Sequence, residues 1–141
     1  MKKGILFLTI VLFSVITFIG CSQEKHSIEK GNLKVTVSYW SGWNPNYEFP
    51  VEEYYFDVKT SDEIVVESSM TGDMSFEIKK VSDNEIEIKS EYPLSVNNDG
   101  RLNLKSTQQE FTIKLGEPLY LTTITLDAGT NYTFEVCGYG E

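Results

Sequence analysis

Histidine is almost absent from this chain of 141 residues, and its scarcity limits the chemistry available. A hydroxyl or thiol nucleophile usually needs a positioned base, and a Ser–His–Asp relay needs an imidazole. The sole histidine, His26, lies in a polar stretch near the N-terminus. Cysteine is nearly as scarce, with only Cys21 and Cys137. One histidine and so few thiols make a poor zinc donor set. Cations are also short: 12 Lys and Arg stand against 21 Asp and Glu, for a net charge of −9. With no basic stripe to meet phosphates, nucleic-acid binding is excluded as a function class. Charge alone would not dock such a chain on an anionic bilayer either. Sustained helical periodicity is missing, and so is any apolar run of the ~18 or more residues expected of a membrane-spanning helix.

The N-terminus does carry a shorter run. Lys2 and Lys3 precede an apolar stretch over residues 5–19, broken only by Thr9, Ser14 and Thr17. That length fits the apolar region of a signal peptide. The stretch ends in Phe18-Ile19-Gly20-Cys21, which resembles the bacterial lipobox. The resemblance implies that the Cys21 thiol receives a diacylglycerol and that signal peptidase II cuts before it. Residues 1–20 are then the lipoprotein signal peptide, and the mature chain is lipid-anchored to the cell membrane or an outer membrane on its extracytoplasmic side. A single acyl chain binds a membrane only marginally, whereas two or three hold stably. An uncleaved anchor or an ordinary secretory signal would equally place the domain outside the cytoplasm.

Loss of Lys2 and Lys3 makes the mature chain more acidic still. If Cys21 is acylated, Cys137 is left without a disulfide partner, so the fold must rest on its apolar core. Cys137 itself reads as a small buried hydrophobe near the end of the last strand. Residues 21–31 form the lipidated cysteine and a flexible linker, polar and mixed in charge. As a coil, such a linker spans about 17 Å, with a contour limit of roughly 35 Å.

Residues 32–141 alternate with a period of two, the mark of half-buried strands. Leu33, Val35, Val37 and Tyr39 begin the pattern. Tyr54, Phe56 and Val58 follow, then Ile64 and Val66, then Met74, Phe76 and Ile78. A hairpin through Ser82-Asp83-Asn84 leads to Ile86 and Ile88. Leu94 and Val96 lead through residues 97–100 to Leu102 and Leu104, and Phe111, Ile113 and Leu115 form the next run. Leu119 and Leu121 change parity to Ile124 and Leu126, which predicts a bulge near Thr122-Thr123. Tyr132, Phe134 and Val136 complete an all-β pattern of short strands, expected to form a sandwich or barrel.

Leu126-Asp127-Ala128-Gly129-Thr130-Asn131-Tyr132-Thr133-Phe134-Glu135-Val136 resembles the tyrosine corner of fibronectin type III and other immunoglobulin-like domains. That resemblance implies an immunoglobulin-like antiparallel β-sandwich in which the Tyr132 hydroxyl bonds back to upstream backbone. Asn131-Tyr132-Thr133 also fits a glycosylation triplet by letter, and reads as part of a turn.

The densest unusual feature is aromatic. Tyr39, Trp40, Trp43, Tyr47, Phe49, Tyr54, Tyr55 and Phe56 fall in one short stretch holding both tryptophans. Parity assigns Tyr39, Tyr54 and Phe56 to the core. Trp40, Trp43, Tyr47 and Tyr55 remain as candidate ligand-binding residues, since sugars and peptides both dock on aromatic faces. Ser41-Gly42 and Asn44-Pro45 place Trp43 in a loop, where it can cap the core or meet a ligand. Asn97, Asn98, Asp99, Asp83 and Asn84 offer oxygens suited to calcium, but Asp99-Gly100 is a turn signal that needs no metal. No cofactor or metal is expected. Paired carboxylates could hydrolyse glycosides, yet Glu77, Glu85 and Glu87 occupy outward strand positions. The expectation is a non-enzymatic binding or envelope-assembly module whose partner is an envelope protein or glycan. A carbohydrate-binding domain using residues 40–55 and a small carboxylate hydrolase are the alternatives.

Overall fold

The computed structural model describes residues 31–97 and 105–138. The signal stretch, Cys21, the linker with His26, and Asn98, Asp99, Leu102 and Leu104 lie outside the described residues. Eight strands follow one another with no helix among them: β1 (Leu33–Ser41), β2 (Glu52–Phe56), β3 (Glu63–Val66), β4 (Met74–Val81), β5 (Glu85–Val96), β6 (Thr107–Lys114), β7 (Leu119–Thr122) and β8 (Ala128–Val136). The alternation builds them. Leu33, Val35 and Val37 turn inward while Lys34, Thr36 and Ser38 stay half-exposed. The same phase recurs in β4 and β8.

All pairings are antiparallel. The strands form one sheet in the order β2-β1-β8-β7-β5-β4-β3, with β6 also paired to β5. The sheet folds over on itself and is nearly barrel-like: Phe76 of β4 meets Tyr132 and Phe134 of β8 edge-on, at ring separations of 5.6 and 4.9 Å. These rings lie at the centre of a core that also includes Leu33, Val35, Ile78, Ile86, Ile88 and Ile113. Burying an aliphatic or aromatic side chain of this size contributes about 1.5–3 kcal/mol.

Strand β5 makes the turn from one side of the core to the other. Sequence alternation suggests separate runs at 86–88 and 94–96, but the structure joins them through Glu91-Tyr92-Pro93. The register with β6 shifts between Lys89 and Leu94. Pro93 cannot donate to a ladder, and the side-chain amide of Gln109 donates to the Ser90 and Glu91 carbonyls at the bend. The expected hairpin at Ser82 forms, with the Ser82 hydroxyl and amide both donating to the Glu85 carbonyl.

Several other expectations change. Strand β7 stops at Thr122 instead of bulging onward, and Ile124 and Leu126 lie exposed in a loop. Leu115 is exposed in the β6–β7 turn. Cys137 is half-exposed and follows the end of β8. Asn131-Tyr132-Thr133 runs within β8 and is no turn. Tyr132 is the fifth residue of its strand, and its buried hydroxyl makes no hydrogen bond among the described residues. Among the described residues no backbone group makes the bond expected of a tyrosine corner. Burial pushes the Tyr132 pKa up, and the Thr71 and Thr130 hydroxyls beside it pull the other way.

Candidate ligand-binding site

Three loops come together where β1 ends and β8 begins. The first, residues 42–51, is pinned at its root by the Gly42 amide, which donates to the Asp127 carbonyl at 2.6 Å. It then turns at Asn44-Pro45-Asn46-Tyr47, where the Tyr47 amide donates to the Asn44 carbonyl. Proline at the second position of such a turn presets the backbone angle. The Tyr47 ring stands edge-on to Phe49 at 4.7 Å, and Phe49 in turn meets Tyr39, which is buried. This chain of rings ties the loop to the core. Trp43 projects beyond it, 80% exposed.

The second loop, residues 67–73, is held by hydroxyls. Ser68, Thr71 and Thr130 lie within 2.7–3.1 Å of one another through their side-chain oxygens. The Ser69 amide donates to the Tyr39 hydroxyl, and the Ser68 amide to Asp73. Met70 is left at the surface. The third loop, residues 123–127, is clamped where the Thr130 amide donates to the Thr123 hydroxyl oxygen and the Thr123 amide to the Thr130 carbonyl, both at 3.0 Å. It presents Ile124 and Leu126, the latter 86% exposed. All three loops thus hang on β8 and β1 by named bonds.

Trp40 has a different role from Trp43. It pairs with Gly129 across β1 and β8 and is half-buried. A Cβ at Gly129 would stand 2.6 Å from the Trp40 Nε1 and equally close to the Thr123 and Thr125 hydroxyl oxygens. Only glycine leaves room for the indole to lie there, so Trp40 covers the root of the third loop.

Tyr55 sits elsewhere. It pairs with Lys34 near the start of β1, six residues before Trp40 and so about 20 Å away along the strand. Lys34 lies 5.7 Å from the Tyr55 ring centre and 2.7 Å from Glu53. The Glu53 carboxylate accepts its hydrogen bond, which raises the Lys34 pKa and lowers that of Glu53. Tyr55 and Lys34 line an open groove of about 420 Å³ with Gly31, Glu135 and Cys137. The aromatic stretch thus divides: Trp40, Trp43 and Tyr47 go to the three-loop end, Tyr55 to the end where the chain enters the domain.

A second shallow groove, about 440 Å³, crosses the outer face of β3, β4 and β5 and contains Glu63, Glu77, Lys89 and Glu91. Glu77 is taken by Lys79 at 3.0 Å. Glu85 and Glu87 both bind Lys80, at 2.9 and 3.4 Å. The ammonium holds the Glu85 carboxyl below its usual range, the opposite of what a general acid needs. No group of three or more His, Cys, Asp or Glu side chains is arranged to hold a metal ion among the described residues. Asn32, Met70, Ile124 and Leu126 were not singled out by sequence as site or anchoring residues. The parity change after Leu121, read from sequence as a bulge, marks the place where β7 ends. No protein-family model matches the chain, and no curated protein or solved structure matches it.

Proposed function

We propose that this chain is a lipoprotein anchored through Cys21 on the extracytoplasmic side of a membrane. Its immunoglobulin-like β-sandwich then acts as a non-enzymatic module that docks an envelope protein. One observation carries the docking part. The exposed Trp43, Tyr47 and Leu126 gather on bonded loops at the far end of β1 from Gly31, where the chain enters. The eight steps between the nine residues of β1, at about 3.3 Å each, make it roughly 26 Å long. With the coil expected from the linker's sequence adding about 17 Å, the loop end stands away from the membrane, facing other envelope components. Aromatic side chains held in a fixed loop are favoured interface anchors, because little ordering entropy is lost when they dock.

The test has two arms. Cys21→Ala should abolish metabolic lipid labelling and leave the precursor uncut by signal peptidase II; unchanged labelling sinks the anchor. A photo-crosslinking residue in place of Trp43 should trap a discrete envelope protein in intact cells, whereas the same residue in place of Lys79 should not. Equal trapping at both positions removes the docking reading. The exposed Trp43 indole also favours a second reading, glycan binding. In that reading soluble peptidoglycan fragments shift the tryptophan emission of the wild type and leave Trp43→Ala unchanged.

A further inference from the structure

We infer that the three-loop end receives a cationic, apolar segment of its partner protein, an inference that rests on the docking reading above. Around the exposed Trp43, Met70, Ile124 and Leu126, the loops 42–51, 67–73 and 123–127 contain Glu48, Glu67, Asp73 and Asp127 and no lysine or arginine. All four carboxylates are exposed, and none makes an ion pair among the described residues. Elsewhere Lys34 is matched with Glu53 and Glu135, Lys79 with Glu77, and Lys80 with Glu85 and Glu87. At the loop end four exposed carboxylates therefore surround apolar tips with no cation on the same loops to offset them. Lysine or arginine beside an apolar anchor complements both, through charge and through the aromatic face of Trp43.

The same charges decide against the other occupants. A second copy meeting this end on a two-fold axis would bring like carboxylates together, which disfavours an isologous contact. An anionic bilayer would meet the same repulsion, with the carboxylates losing water as the apolar tips entered. The bonds from Gly42, Ser68, Ser69 and Thr130 hold the loops before any partner arrives, so little ordering cost opposes binding.

The lipidated chain in phosphatidylcholine nanodiscs provides the test. Three labelled synthetic probes are used: a short peptide alternating lysine and leucine, its glutamate–leucine counterpart, and a lysine–serine peptide. Fluorescence anisotropy is read against empty nanodiscs. The lysine–leucine peptide should bind best and weaken as salt rises. Leu126→Ser should weaken it about tenfold or more, and so should the pair Glu48→Gln with Asp127→Asn. Glu77→Gln with Glu87→Gln, which removes the same charge from the outer face, should leave it unchanged. Equal weakening by the two pairs marks a non-specific charge effect and overturns the inference. So does equal binding of the glutamate–leucine peptide, which leaves apolar docking intact without a cationic partner. Leu126-dependent sedimentation with phosphatidylglycerol vesicles, or a Leu126-dependent dimer in sedimentation velocity, overturns it in favour of a membrane or a second copy. If the inference fails while the Trp43 crosslink persists, docking stands and only the partner's chemistry is wrong.

Discussion

Asn32 is the residue whose loss should be felt most for its size. It is 2% exposed, and its side-chain amide bonds Val58 as a backbone peptide would. Nδ2 donates to the Val58 carbonyl at 2.8 Å, and the Val58 amide donates to Oδ1 at 2.8 Å. The Asn32 carbonyl accepts from the Cys137 amide. One residue therefore ties the chain entry to the segment leaving β2 and to the exit from β8. Asn32→Ala strands two polar groups of a Val58 that is itself 2% exposed. Each unsatisfied buried group costs about 1–3 kcal/mol, and partial entry of water reduces the sum to about 2–4 kcal/mol. With a urea slope of about 1–3 kcal/mol per molar, the midpoint should fall by roughly 1–2 M, read from Trp40 emission. Asn32→Asp sharpens the test by keeping the acceptor and turning the donor into a second acceptor facing the Val58 carbonyl. Burial and that carbonyl raise the folded-state pKa of the new carboxyl above its unfolded value. Its deficit relative to wild type should then be small at acid pH, where the carboxyl donates, and grow as pH rises through the folded pKa. A midpoint for Asn32→Ala within about 0.3 M of wild type, or an Asn32→Asp deficit independent of pH, would refute the clamp.

Three further predictions concern single side chains. Gly129→Ala should cost about 1–3 kcal/mol and shift Trp40 emission to the red, because the new methyl displaces the indole and two threonine hydroxyls; an unshifted spectrum would show that the indole does not lie there. Tyr132→Phe removes a buried hydroxyl that makes no hydrogen bond among the described residues, so thermal unfolding should show a neutral change or a gain of up to about 1 kcal/mol. A loss of more than about 1 kcal/mol would mean that the hydroxyl is bonded. Tyr54 donates to Glu52 at 2.7 Å, and this bond, with burial and the carboxylate's charge, pushes its pKa up to about 12. Its contribution to stability is complete below the unfolded tyrosine pKa of about 10 and is lost as pH rises through the folded value. In an ultraviolet titration Glu52→Gln should bring the late-ionising phenol down; an unchanged titration would exclude the bond as its cause.

Much of the core was legible in the sequence because alternation records which face a side chain takes. Leu33, Val35, Val37, Phe76, Ile78, Ile86, Ile88, Phe111, Ile113 and Phe134 are buried where their parity puts them. Composition also determined what the chain is short of: cations, histidine and thiols. Alternation assigns a face but no position along the sheet. The neighbours that decide position come from far along the chain, as when β1 pairs with β8 and Ser68 meets Thr130. Only those pairings sent Trp43 and Tyr55, close in sequence, to opposite ends of β1. Ile124 and Leu126 keep strand-like spacing yet stay in solvent, because the Thr123–Thr130 bonds close the β7–β8 loop before them. Asn32, a polar residue next to the linker in sequence, is a clamp only because Val58 folds against it. Charge and face were determined locally, whereas the meeting of apolar tips with unmatched carboxylates was decided by the tertiary structure, which alone brings three separate loops to one end.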